Sequence, residues 1–147
     1  MTDFVPKDAD FEARVRASFA RQRVMETFGA RLARVAPGEV EIELDFREEL
    51  TQQHGYLHAG VVAAVVDSAC GYAALSLAPA GAEVLSIEFK LNLLSPAAGE
   101  SFAARARVVR AGRNVTVCSG DLYARGEGGE KLVATMLGTM MVMKSEV

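Results

Sequence analysis

Residues 59–78 read AGVVAAVVDSACGYAALSLA, and this stretch dictates how the rest of the chain must be arranged. Between positions 59 and 82 the only charged residue is Asp67. About twenty apolar residues are enough to cross a bilayer. Three features oppose that reading. An acid at mid-bilayer costs roughly 2.5–3.5 kcal/mol or more. Pro79 and the glycines break the run. No Lys or Arg flanks either end closely. The pattern therefore predicts a helix over 59–77, buried inside a protein and closed by Pro79-Ala80-Gly81. Such a helix is apolar nearly all round and must be covered on most sides.

The flanking sequence supplies the cover. Residues 39–46, Glu39-Val40-Glu41-Ile42-Glu43-Leu44-Asp45-Phe46, alternate polar and apolar without a break. That is a half-buried antiparallel strand. Residues 30–36 form its hairpin partner across Pro37-Gly38. A polar loop at 47–56 leads into the apolar helix. Four strand-like runs follow it, at 84–94, 101–110, 114–124 and 132–143. Their punctuation is Ser95-Pro96, Ala111-Gly112 and the glycines of 126–129, and turns this short join antiparallel neighbours. Upstream, 8–28 reads as an amphipathic helix: Phe11, Val15, Phe19, Met25 and Phe28 approximate one face, and Gly29 ends it. It either packs on the core or forms a lid over a pocket. The chain thus divides into a helical segment at 1–29 and one α+β domain at 30–147.

Composition narrows the function. The chain's 147 residues suffice for one core. A net charge of −3 provides no basic field for nucleic acid or anionic lipid. Two histidines are too few for a multi-histidine metal site. Cys70 and Cys118 lie in apolar contexts without metal-like spacing. They read as reduced core thiols, which points to a reducing, cytoplasmic compartment. The opening MTDFVPKDADFEAR has no positive region followed by an apolar one, so no secretory signal is expected there.

On a helical wheel, Asp67 is surrounded by Gly60, Ala63, Ala64, Cys70, Gly71 and Ala74, all small. Val61, Val62, Val65, Val66 and Tyr72 occupy the opposite face. A smooth groove around one carboxylate lets a ligand or another backbone approach. An isolated acid there is costly unless it is paired or used. The helix start, His58-Ala59-Gly60, offers unpaired N–H groups and a partial positive charge. Aimed at a carbonyl, such groups form an oxyanion hole. Eight residues separate Ala59 from Asp67, about 12 Å along a helix. A general base works within about 3 Å of its target, or through one water. One subunit cannot bring both groups to one carbonyl. Two antiparallel helices from paired subunits can, so composite sites at a two-fold dimer interface are expected.

The stretch from Gln52-Gln53-His54-Gly55-Tyr56-Leu57-His58-Ala59-Gly60 to Asp67 resembles the hotdog-fold thioesterases of the phenylacetate-degradation (PaaI) type. The resemblance continues through Ser86-Ile87-Glu88-Phe89-Lys90-Leu91-Asn92 and covers roughly residues 38 to 143. It implies a long helix wrapped by a curved antiparallel sheet, and hydrolysis of acyl-CoA to a carboxylic acid and CoA. Asp67 aligns with the family's general base or nucleophile, and His58 with its histidine at the helix start. Ala59 stands where the family has its oxyanion-hole glycine, and Gln52 where it has a water-positioning asparagine. Gln53 could supply that amide instead. Ser86 aligns with the hydroxyl partner of the acid, although its strand parity with Glu88 and Lys90 suggests the less buried face. Gly60 would line the site. Lys90, Arg110, Arg113 and Asn114 are candidates for the CoA moiety, and their plainer reading is solvated strand and turn polarity. The resemblance implies a homodimer with shared sites, commonly paired into a homotetramer, with no metal and no bound cofactor. The rival within reach is an acyl-CoA or lipid binder that has lost activity, which the departures at Gln52 and Ala59 keep open. A hotdog hydratase would need a histidine on the helix body, and a DNA-binding regulator would need a basic surface; neither is present in the sequence.

Overall fold

A computed structural model describes residues 3–144. The chain runs α1 (Phe11–Arg21), α2 (Arg23–Phe28), β1 (Arg31–Ala36), β2 (Glu39–Asp45), a 3-10 turn (Glu48–Leu50), α3 (Ala59–Leu75), β3 (Glu83–Leu93), β4 (Ser101–Ala111), β5 (Val115–Gly126) and β6 (Gly129–Met143). The six strands form one antiparallel sheet in the order β1-β2-β4-β5-β6-β3. The sheet curves around α3 in the hotdog arrangement.

Strand alternation decides which residues meet α3. Val40, Ile42 and Leu44 are buried, as are Phe102, Ala104 and Ala106 opposite them on β4. Leu122, Met136 and Met140 continue this surface, and Val62, Val65, Val66, Ala69 and Cys70 of α3 press against it. Each large aliphatic side chain buried there contributes about 1.5–3 kcal/mol. The approach is close at Gly120: a Cβ there would lie 2.8 Å from Val66 Cγ1 and 2.9 Å from Cys70 Sγ. Cys70 and Ala74 therefore belong to the core, not to the groove face of Asp67. The exposed or half-exposed stripe is Gly60, Ala63, Ala64, Asp67, Ser68 and Gly71.

The N-terminal segment is two helices rather than one. The break is Gln22, which is extended (φ −82°, ψ 97°). Its cause is helical phase. Met25 is six residues beyond Phe19, which in an unbroken helix would turn it roughly 120° off the packing face. Resetting the chain at Gln22 lets Val15 and Met25 both be fully buried. Gly29 then closes α2 in the left-handed region (φ 67°). Both helices are fastened to the domain. Arg14 Nη2 donates to Leu75 O (2.9 Å) and Ala78 O (2.8 Å), carbonyls at the C-terminal end of α3. The guanidinium thus satisfies orphan acceptors and complements the helix dipole. α3 ends two residues before the expected 77, and Ser76 makes the junction. Its hydroxyl donates to Ala73 O (2.6 Å) and accepts from Gly38 N (2.8 Å) in the β1–β2 turn.

The β3 edge carries a bulge. Ser86 pairs with Met140, yet Glu88 pairs with Thr139, so Ile87 is the extra residue. Before the bulge Val84 and Ser86 sit opposite buried Val142 and Met140; after it Phe89 and Leu91 sit opposite Gly138 and buried Met136. The inward set switches from even to odd numbers. Along its length β3 stays largely uncovered: Leu85, Ile87, Phe89 and Leu93 are exposed, as is Leu94 just after it.

Candidate active site

Asp67 lies midway along α3, half-exposed on the stripe of small residues. Its Oδ1 accepts a 2.6 Å hydrogen bond from Ser86 Oγ. The bulge makes this contact possible. Without the extra residue, Ser86 and Glu88 would share one face; with it, Ser86 turns in toward the helix while Glu88 and Lys90 lie outward. A hydroxyl on one carboxylate oxygen fixes the carboxylate's orientation and leaves the other oxygen free to take a proton.

The second element is the start of α3. His58 is the N-cap (φ −60°, ψ 139°), and its Nδ1 accepts from Gly60 N at 2.8 Å. Val61 N and Val62 N both donate to His58 O. Among the described residues, Ala59 N–H is left without an acceptor. His58 thus acts as a cap that occupies the N–H of Gly60 and leaves that of Ala59 pointing outward, where the helix dipole favours negative charge.

Gln52 is the amide at this end. Its Oε1 accepts from His54 N (2.6 Å) and Tyr56 N (3.3 Å), closing the turn ahead of α3. The amide NH2 is then the part left to donate. Gln52 and Ala59 line one cleft of about 370 Å³, with Tyr56, Leu57, Val62, Leu93, Leu94 and Pro96 among its walls. Gln53 is exposed and does not line it. A second cleft, about 250 Å³, opens at Asp67 and Ser86. The two clefts share no residue. A single chain therefore carries two separate clefts, one with donors and one with the carboxylate.

The remaining sequence candidates fall elsewhere. Lys90 is exposed and pairs with Leu137 on the outer side of the sheet. Arg110 lies exposed near the end of β4. Arg113 and Asn114 occupy the β4–β5 turn, where Asn114 O accepts from Val142 N (2.8 Å). Arg113 is close to Leu77 and Pro79, at the far end of α3 from Ala59. None of them lines either of these two clefts. Sequence reasoning missed Gln22 and Ser68, both of which line the Asp67 cleft; Ser68 Oγ donates to Gln22 Oε1 (2.9 Å). The six-residue step from Phe19 to Met25 was the available signal, since it marks where the N-terminal helix must break.

A capped helix start, a hydroxyl-held carboxylate on the same helix and a sheet wrapped around that helix make up a hotdog fold. Comparison with known proteins sets the family: residues 54–131 match the thioesterase superfamily, and the chain belongs to it. It is a thioester hydrolase by family. The chain is 35% identical over 104 residues to human acyl-coenzyme A thioesterase 13, covering 70% of this chain and 72% of that protein. A thioesterase family protein from Silicibacter pomeroyi has a structure that superposes with a TM-score of 0.91 at 52% identity, over 92% of this chain and 99% of that one. The Escherichia coli PaaI protein shares the fold, with a TM-score of 0.83 at 18% identity over 95% and 97% of the two chains.

Proposed function

We propose that the protein hydrolyses acyl-CoA thioesters at composite sites, each built from Ala59 of one subunit and Asp67 of its partner. The observation that carries this is the separation of the half-sites. The free N–H and the carboxylate stand on one helix, about 12 Å apart, in clefts that share no residue. A two-fold pairing of antiparallel α3 helices would place each N-terminus beside a partner's Asp67. Two features support pairing at this face. The stripe of Gly60, Ala63, Ala64 and Gly71 permits close approach. The neighbouring β3 edge is eleven residues long and exposes Leu85, Ile87 and Phe89, a template for another strand. A second copy satisfies both, and dimers would pair into a tetramer through the sheet's outer face. The reduced, buried cysteines fit a cytoplasmic setting.

In this reading the thioester carbonyl accepts from Ala59 N–H. Asp67, held by Ser86, takes a proton from water as its oxygen attacks the carbonyl carbon. The C–S bond then breaks, and CoA leaves as a thiolate that is reprotonated. Attack by Asp67 itself, through an anhydride that water opens, uses the same groups. Gln52 would orient the water or the carbonyl. The CoA nucleotide would reach the surface near Arg113, Asn114 or Lys90 once the subunits pair.

The test is thiol release from acyl-CoAs running from acetyl to palmitoyl, with phenylacetyl and benzoyl added, for wild type and Asp67→Ala. Turnover by wild type and a loss of at least about a hundredfold in the variant is the expected result. Binding of acyl-CoA without turnover across the whole panel would make the protein a binder on a thioesterase scaffold.

A further inference from the structure

The two half-sites differ in chemistry. The Ala59 cleft is walled mainly by Leu57, Val62, Leu93, Leu94, Pro96 and Val133. The Asp67 cleft is rich in hydroxyls and holds one side-chain amide, with Ser18, Gln22, Ser68, Tyr72 and Glu83 alongside Asp67 and Ser86. Two of these polar side chains, Ser18 and Gln22, come from the N-terminal segment. Gln22 sits at the break between α1 and α2, and its Oε1 is held by Ser68 Oγ (2.9 Å). Ser68 and Asp67 line the same cleft, so the Gln22 amide is anchored in the cleft that holds the carboxylate. Its Nε2 has no protein acceptor among the described residues, and the side chain lines the cleft. A pre-held amide donor next to the reacting centre can recognise a substrate carbonyl.

This rests on the composite-site reading above. A thioester carbonyl at the junction of the clefts has two substituents, an acyl group and a sulfur-bearing arm. In CoA that arm carries an amide two methylenes from the sulfur. An apolar cleft suits the acyl group, and a cleft lined by donors and acceptors suits the amide. We infer that Gln22 is a specificity-determining residue that donates to the first amide carbonyl of the pantetheine arm. The N-terminal segment then sets which thiol ester is accepted, while the Ala59 cleft sets which acyl group.

The test varies the thiol while keeping the acyl group fixed. One acyl group is presented as its CoA, N-acetylcysteamine and ethanethiol esters, of which only the last lacks the amide. For Gln22→Ala, kcat/KM on the amide-bearing esters should fall about three- to tenfold more than on the ethyl ester, the worth of one neutral hydrogen bond. Ser68→Ala, which frees Gln22 from its anchor, should shift the same ratio in the same direction by less. Equal losses on all three esters would reduce Gln22 to a structural role and overturn the inference. So would a loss that follows the acyl group instead of the thiol, or no loss at all. If wild type hydrolyses none of the esters, the hydrolase reading falls and takes this one with it; if wild type is active and only the ratio is unmoved, the inference alone fails.

Discussion

Replacing Ala59 by proline deletes one N–H and very little else. Ala59 is the first residue of α3, and proline is favoured at that position because its missing N–H has no intrahelical acceptor. The preceding residue must be extended, and His58 already is, at φ −60° and ψ 139°. Ala59 is exposed and its N–H has no acceptor among the described residues. The fold should therefore be nearly indifferent, with an unfolding midpoint close to wild type. Catalysis should not be. Loss of one oxyanion donor costs about 2.7–4 kcal/mol of transition-state stabilisation, or roughly 10²–10³ in kcat. Steady-state thiol release measures kcat, and thermal unfolding measures the fold. Ala59→Gly keeps the N–H and should retain activity within a few-fold of wild type. A folded Ala59→Pro enzyme with wild-type kcat would refute the assignment of this N–H, and Ala59→Gly failing as badly as proline would implicate the side chain instead.

Ser86→Ala removes the 2.6 Å hydrogen bond to Asp67 and should lower kcat by about five- to twentyfold with little change in unfolding midpoint, read by the same two assays. Gly120→Ala pushes a methyl into Val66 and Cys70; urea unfolding should show a loss of about 1–3 kcal/mol. Burial pushes the Cys118 thiol up to about 12 and raises that of Cys70 as well. Thiol reagents at pH 8 should therefore label neither cysteine until denaturant is added. On the outer face, hydrogen bonds from Arg125 and Arg105 hold Glu130 below its usual value. For Glu43, burial opposes ionisation, but the hydrogen bond from Arg125 and the charges of Arg125 and Arg31 outweigh it. Folded-state values below the unfolded ones mean stability that is complete above the ordinary glutamate range and lost as pH falls through the folded values. Denaturant midpoints should thus drop as pH falls below about 4.5, and drop less in Arg125→Met.

The parts of the fold with strong periodicity were legible in the sequence. Residues 39–46 alternate so regularly that β2 could be placed to within a residue, and the apolar length of α3 demanded a wrapped sheet. The placing of Asp67 midway along α3 and of Ala59 at its start was legible too, because a lone acid on an apolar helix and a helix start are local features. The misplaced features are those set by packing between elements. The wheel put Cys70 and Ala74 beside Asp67, whereas the sheet reaches far enough around α3 to bury both. The parity of Ser86 pointed outward until the bulge at Ile87 reversed it. No residue at 86–88 is a glycine or proline that would have announced that bulge. Gln22 was invisible as a cleft residue because its role depends on where two short helices dock on α3. The basic candidates Lys90 and Arg113 were drawn from the likeness to the family, and within one chain they stand away from both half-sites.

The proposed mechanism has Ala59 and Asp67 acting together only across subunits. It is tested most directly by co-expressing Ala59→Pro and Asp67→Ala chains with different tags and purifying the mixed species. Each homodimer has two broken sites. A mixed dimer has one site with both lesions and one with neither, so it should recover about half of wild-type activity per dimer. Mixed dimers no more active than the two parents would contradict the account and place both groups at the same site within one chain.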